Sequence, residues 1–315
     1  MSRLRVLFLG ASRLVGLMER FQAAAAFENV ALDLASIEDG EPWHAVAAAG
    51  TCRVEHAPAF ETPEFARVLR DAVARGPADL VIPVIDAAVR AIAPLHAELS
   101  RAGALPVVSR ADLCESVYDK AKADELFRRF RLPVPERPGY PRLAKPRFGS
   151  SSRGHVLFRD EEEYAFWAAR NRPDDFVVQP YLSGTEYSVD AYVDRGGRLV
   201  GAVSRVRVVV AGGEVMVTRT ERDEAVLEIA SRACAIPGWY GPLNLQIMRT
   251  PAGPFLLEVN PRFSGGVTCS IEAGLDGPRF LLRERLGRPL PEGPVEWRSG
   301  LCMTRSRKDH FVWLS

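Results

Sequence analysis

Two stretches in the last third of the chain, Pro242-Leu-Asn-Leu-Gln246 and Phe255-Leu-Leu-Glu-Val-Asn-Pro-Arg262, flank the turn-forming Thr250-Pro-Ala-Gly-Pro254. Pro and Gly between two strand-like runs make a β-hairpin the simplest join. Side chains on a strand alternate faces, so Glu258 and Asn260 share one face while Leu257 and Val259 are expected in a core. A hairpin centred on Ala252 pairs residues whose numbers sum to 504, which sets Gln246 opposite Glu258 with β-carbons about 5 Å apart. Carboxylate and amide oxygens suit Mg²⁺, a hard cation commonly shared with substrate phosphates. Arg262, just past the strand, adds a fork for phosphate or carboxylate. Taken alone, Glu-x-Asn is more often the solvated face of an ordinary edge strand. The rest of the chain reverses that balance.

At 315 residues and 47% hydrophobic content the chain exceeds one ordinary domain, so two or three compact units are expected. A net charge of +1 offers no global field for nucleic acid or membrane, and any anion site must be local. No segment reaches the roughly 20 apolar residues of a membrane span. The aliphatic run Val6 to Leu9 is too short for a signal segment and reads as a first strand. Five cysteines, an odd number with no C-x-x-C pair, fit a reducing cytoplasm better than a disulfide framework.

Residues 1–112 alternate strand and helix patterns: Arg5 to Leu9, Leu14 to Ala26, Val30 to Ala35, Pro63 to Arg75, Asp79 to Pro83, Ala87 to Arg101 and Leu105 to Val108. That rhythm predicts four or five parallel strands in a Rossmann-like unit. Its first turn, Leu9-Gly-Ala-Ser-Arg13, lacks the full G-x-G-x-x-G fingerprint and reads as a structural turn. A helix from Lys120 to Arg131 ends at the Pro- and Gly-rich connector 132–141. Short strands follow at Arg142 to Lys145, His155 to Phe158 and Phe176 to Gln179, with a helix from Glu161 capped by Asp160. From Glu186 to Thr220 the pattern is continuously β, which predicts an antiparallel sheet.

Lys145-Pro-Arg-Phe-Gly-Ser-Ser-Ser-Arg-Gly154 joins two of these strands. Glycines let backbone N–H groups approach an anion, the hydroxyls of Ser150, Ser151 and Ser152 donate further bonds, and Lys145 supplies a point charge. The loop alone is equally compatible with an ordinary surface hairpin, and it is not a Walker A pattern. The bend Gln179-Pro-Tyr-Leu182 leads into a strand on which Glu186, Ser188 and Asp190 share a face. An adenine could sit at such a bend, read by backbone groups and flanked by Tyr181 and Leu182, with Glu186 on a ribose. A solvated acidic sheet face explains the same residues equally well.

Together these stretches resemble the ATP-grasp superfamily, in the branch similar to the carbamoyl phosphate synthetase large subunit. Asp119-Lys120, Lys145-Pro146 with its Gly-Ser loop, Gln179 to Asp190, Asn244-Leu-Gln246 and Glu258-Val-Asn-Pro-Arg262 occur in that family's order and approximate spacing. The resemblance implies an α/β and α+β chain: a pre-ATP-grasp Rossmann-like domain (1–112), a small ATP-grasp lobe (113–184) and a large lobe with the metal site (185–315). It implies that Lys120 and Lys145 contact ATP phosphates, that the loop from Gly149 closes over them, and that Gln179, Pro180, Tyr181 and Leu182 hold adenine. Glu186 would bind ribose; Gln246, Glu258 and Asn260 would hold one or two Mg²⁺, with Mn²⁺ as an alternative ion. Arg262 would steady the transferred phosphoryl group. Such proteins typically activate a small-molecule carboxylate as an acyl phosphate for attack by an amine, and many are homodimers. Positioning and positive charge on phosphate oxygens are what this transfer requires.

The chain departs from its relatives at Pro180, where many carry Glu, and at Val209 and Met216, where basic residues are common. Arg205, Arg207 or Arg219 could substitute, and of these Arg219 is assigned beside Arg262 as catalytic. The depleted hairpin admits two other outcomes, a catalytically weakened ATP-binding regulatory protein or an enzyme that stops at the acyl phosphate. His44, His56, His96, His155 and His310 have no metal-ligand spacing and read as surface or packed histidines; Cys269 and Cys302 read as packing residues.

Overall fold

The computed structural model describes residues 2–39, 51–76, 78–136, 139–149 and 153–306. Ser150, Ser151, Ser152, His44 and His310 lie outside the described residues. The first unit is a parallel sheet of β1 (Ser2–Leu9), β2 (Val30–Asp39), β3 (Arg53–Ala57), β4 (Leu80–Pro83) and β5 (Leu105–Pro106), in the order β3-β2-β1-β4-β5. Burial on both faces explains the unbroken apolar run in β1, where Val6, Phe8 and Leu9 are fully enclosed. Helix α1 (Val15–Phe27) and helix α2 (Pro63–Arg75) cover opposite faces of this sheet. The segment read as one helix from Ala87 to Arg101 is instead α3 (Asp86–Ile92), a 3₁₀ turn holding Pro94, and α4 (His96–Arg101). Proline has no N–H for the helical ladder, so the break falls where it sits. The winding of the sheet reverses between β1 and β4, and the crevice beyond their carboxyl ends is bordered by Gly10 and Asp86.

Helix α5 (Ala111–Tyr118) packs Leu113 and Val117 into the core of the C-terminal sheet and Cys114 into that of the first unit. Helix α6 (Lys120–Arg129) begins at Asp119, whose carboxylate caps it by accepting from the Ala121 N–H at 3.0 Å. A small antiparallel sheet, β7-β6-β8, follows: β6 (Arg142–Pro146), β7 (Val156–Phe158) and β8 (Phe176–Pro180), with α7 (Glu161–Ala168) between the last two. Phe158 stacks on Tyr164 and Trp167 of α7, so Ala144 and Phe158 face that helix while Leu143, Lys145, Leu157, Val177 and Gln179 face the other way.

The large sheet has six antiparallel strands in the order β13-β12-β9-β10-β11-β14: β9 (Thr185–Val193), β10 (Leu199–Ala211), β11 (Glu214–Thr220), β12 (Gly241–Thr250), β13 (Gly253–Asn260) and β14 (Cys302–Thr304). One face packs on α8 (Glu224–Cys234) through Val189, Leu245 and Val226. Helices α9 (Val267–Ala273) and α10 (Gly277–Arg285) join this lobe to α1, and Phe21 meets both Phe8 and Phe263 edge to face. The first unit and the large lobe therefore share one core. Cys269 is buried, whereas Cys302 is exposed on the edge strand, which corrects its assignment to packing.

A buried ion cluster reinforces that junction. Glu28 accepts hydrogen bonds from Arg279 at 2.6 Å, Arg283 at 2.9 Å and Arg288 at 2.8 Å. Burial alone would raise its pKa, but the bonds from Arg279, Arg288 and Arg283 outweigh burial and bring it from 4.5 to about 2. A carboxyl whose folded pKa is depressed stabilises the fold above its unfolded pKa and loses that contribution as pH falls through the folded value. Between pH 5 and pH 3 Glu28 is therefore expected to forfeit about 2 kcal/mol. Urea midpoints at the two pH values should show a smaller acid loss in Glu28→Gln than in wild type; equal losses would contradict this assignment.

Candidate functional site

The hairpin places Gln246 and Glu258 opposite one another by an indirect route. The turn is the two-residue Pro251-Ala252, so next to it Thr250 pairs with Gly253 and Ile247 with Leu256. A β-bulge then shifts the register by one, and Gln246 pairs with Glu258 and Asn244 with Asn260, as expected. The bulge changes the core as well: Leu256 and Val259 are buried, while Leu257, expected inside, is the half-exposed extra residue. Across β9 the same register sets Ser188 beside Gln246, Asp190 beside Asn244 and Glu186 beside Met248. One sheet face therefore carries Glu258, Gln246 and Glu186.

The small sheet closes the other side of this cleft. Lys145 lies at the end of β6, and its pKa is lowered: burial acts first, opposed by Glu258 and Asp124, with Lys120 adding repulsion. Glu186 is also close enough to act on it. Lys145 thus looks across the cleft at the carboxylates of the large sheet. Lys120, the first residue of α6, donates from Nζ to the Gly149 carbonyl at 2.8 Å. Arg147 donates from Nε to Asp119 at 3.0 Å and its N–H bonds the Asp175 carbonyl, which pins the near end of the glycine loop. Gly149 has φ of 109°, in the left-handed region that only glycine adopts readily. Beyond Lys145 the same face turns apolar, with Leu143, Val177 and the 46% exposed Leu157 available to a flat ring.

The connector from β8 to β9 borders this surface. Gln179 is buried, and the Tyr181 N–H donates to the Pro141 carbonyl at 2.9 Å. Pro180, Tyr181, Leu182, Phe255 and Ala252 line a recess of about 370 Å³. One oxygen of Glu186 accepts from Arg207 at 2.8 Å, which fixes the carboxylate yet leaves acceptor positions for a diol.

Arg262 meets Asp86 in a two-pronged pair, Nε to Oδ1 at 2.7 Å and the terminal nitrogen to Oδ2 at 2.9 Å, while its other terminal nitrogen donates to the Phe263 carbonyl at 3.2 Å. Three of its five N–H donors are engaged, and two remain. Glu258 acts on it as well, so β13 and the first unit meet at this guanidinium. Arg219 does not join the cluster. It pairs in register with Val206, which turns it to the opposite face of the sheet, where it is half exposed and bonded to Glu221. The period-2 alternation along β11 decides this, and it corrects the assignment of Arg219 as catalytic. Arg207 is engaged by Glu186, and Arg205 is almost completely buried.

Arg205 is the residue whose place was hardest to foresee. It lies 2.8 Å from Asp190 and donates to Ser270 at 2.9 Å, Ser264 at 3.0 Å and Thr218 at 3.2 Å. A Cβ at Gly266 would stand 2.5 Å from its guanidinium, so glycine is required for the turn after Arg262 to lie on it. The crevice turn of the first unit is anchored similarly: Glu38, buried, accepts from the Ser12 N–H at 3.0 Å and the Ser12 hydroxyl at 2.6 Å.

Among the described residues no group of three or more His, Cys, Asp or Glu side chains could hold a metal ion. The donor set at the hairpin is different in kind: one carboxylate, Glu258, with the amide oxygens of Gln246 and Asn260. So few charged ligands fit Mg²⁺ that draws its remaining oxygens from water and substrate phosphates.

Residues 172–308 match a family model described as ATP-grasp in the biosynthetic pathway with Ter operon. The carbamoyl phosphate synthase large chain of Clostridium botulinum is 25% identical over 181 residues, which take in 49% of this chain and 17% of that relative. The chain thus spans a small part of the length of the curated relatives it matches. Among solved structures, N5-carboxyaminoimidazole synthetase from Staphylococcus aureus complexed with ADP superposes with a TM-score of 0.73 at 14% identity, covering 94% of this chain and 81% of that one. The biotin carboxylase domain of Hydrogenobacter thermophilus 2-oxoglutarate carboxylase, in complex with MgADP, ADP and bicarbonate, gives 0.71 at 14% identity over 93% and 72% of the two chains. N5-carboxyaminoimidazole ribonucleotide synthetase from Thermus thermophilus gives 0.69 at 21% identity over 92% and 81%.

Proposed function

We propose that this chain, which belongs to the ATP-grasp superfamily and has its fold, is an ATP- and Mg²⁺-dependent ligase that activates a small-molecule carboxylate as an acyl phosphate for attack by an amine. The observation that carries the reading is the cross-strand pair of Gln246 and Glu258 facing Lys145 across the cleft. In this reading adenine lies against Leu143 and Val177 at the 179–182 connector, where the Pro180 carbonyl can accept from its amino group. Glu186 takes the ribose hydroxyls. Lys120 and Lys145 neutralise phosphate oxygens beside Gly149. Mg²⁺ bound by Gln246, Glu258 and Asn260, or Mn²⁺ in its place, would offset charge on the transferred phosphoryl group. The two free donors of Arg262 would hold the acyl phosphate, with Asp86 fixing the orientation of the fork.

The test is calorimetric titration with ATP and Mg²⁺ followed by a screen for ADP release over pooled carboxylates and amines. Metal-dependent binding is expected in wild type, weakened about tenfold or more in Lys145→Ala; absence of binding in wild type would overturn the reading. A second reading, a nucleotide-binding regulatory protein, draws on the engaged state of Arg205 and Arg207 and on Val209 and Met216 in the hairpin. It predicts binding without ADP release for any pool. Full ADP release without an amine would instead indicate an enzyme that stops at the acyl phosphate. No helix among the described residues is long and apolar enough to cross a membrane.

A further inference from the structure

His155 lies within reach of the charges of Lys145 and Lys120, although its spacing in the sequence gives it no partner. β6 and β7 pair Arg142 with Phe158, Leu143 with Leu157 and Ala144 with Val156. His155 immediately precedes β7, and continuing this ladder by one position would bring it beside Lys145 on the cleft-facing side; Lys145 and Lys120 are the charges that act on its ring. Gly154, with φ of 73°, makes the turn that delivers it there from the glycine loop.

We infer that His155 is a nucleotide-contacting residue that takes up a proton when polyphosphate binds between Lys120 and Lys145. This rests on the nucleotide reading above and adds to it a residue that the motif pattern does not supply. The charged groups facing His155 are Lys145 on β6 and Lys120 on α6. Lys145 is itself faced by Asp124 of α6 and by Glu258 and Glu186 across the cleft, and Arg153 just upstream is exposed. Burial, then Lys145 and then Lys120, hold the imidazole at a pKa of about 4, so without ligand it is neutral near pH 6. A polyphosphate between the lysines cancels their repulsion and adds negative charge within a few ångströms, which favours imidazolium. The proton comes from solvent; the ring moves from acceptor at one nitrogen to donor at both and can then bond a phosphate oxygen.

Linkage gives the sign: if binding raises the pKa, affinity rises as pH falls. A bound-state pKa near 6.5 would tighten binding about fourfold between pH 8 and pH 6 through this group. The experiment is titration of the full chain with MgADP at pH 6.5 in two buffers of different ionisation enthalpy, for wild type, His155→Gln, His155→Asn and the exposed control His56→Gln. Wild type and the control are expected to take up about half a proton more per ADP than either His155 variant. Thermal midpoints within a few degrees of wild type would establish that the variants fold. Equal proton uptake in all four proteins, or an affinity loss in both His155 variants that is the same at pH 6 and pH 8, would overturn the inference and leave His155 a packing residue. Absence of MgADP binding in wild type would remove the nucleotide reading itself, a different and separately visible failure.

Discussion

Replacing Glu258 with Ala is expected to lower Mg²⁺-dependent ADP release at least about a hundredfold in the first substrate pool that supports it. Glu258 is the one carboxylate among the three hairpin residues proposed to hold the metal, and Gln246 and Asn260 offer only neutral amide oxygens. Its loss also changes the environment of two cations. Lys145 and Arg262 both feel the Glu258 charge, so the variant leaves them with less compensation across the cleft. Metal-free nucleotide should then bind the variant no worse than wild type, because an anion no longer meets a repelling carboxylate, whereas the metal complex should bind less well. Calorimetry with and without Mg²⁺ separates the two effects. Unchanged ADP release in Glu258→Ala would remove the hairpin from the proposed reaction.

Removing Arg205 should produce the largest loss of stability. Its side chain is 1% exposed and its partner Asp190 3%, so Arg205→Met leaves a buried carboxylate that keeps only Ser270 and Asn244 as donors. Breaking one side of a buried ion pair typically costs about 3–5 kcal/mol, whereas neutralising both sides is far milder. Urea unfolding should therefore show a large drop for Arg205→Met and substantial recovery in Arg205→Met with Asp190→Asn. Equal stability of the single variant and wild type would mean that the pair contributes nothing. Arg205 also supports Ser264 and the Gly266 turn, so turnover should fall in the double variant even where stability returns.

Local rules read the facing residues of the hairpin well. Strand alternation put Glu258 and Asn260 on one face, and turn chemistry put them opposite Gln246 and Asn244. The pairing nevertheless came from a tighter turn and a compensating bulge, which no residue near Leu257 announces. Helix breaks followed residue chemistry where a marker existed, as at Pro94, but β3 carries no such marker and was not anticipated. Arg219 shows the opposite limit: a basic residue in the right hairpin still faces the wrong side when its register partner is Val206.

By itself the sequence determined the succession of parallel and antiparallel units and the order of the motifs it shares with the ATP-grasp pattern, because turn residues and the periods of strand and helix act over a few positions. Only the tertiary structure decided which charges meet. Asp86 and Arg262 are 176 residues apart, and Glu28 and Arg288 are 260 apart. His155 comes under the charges of Lys145 and Lys120 because β7 returns beside β6. Electrostatic interaction and burial depend on distance in space, and nothing in local composition encodes which strand returns beside which.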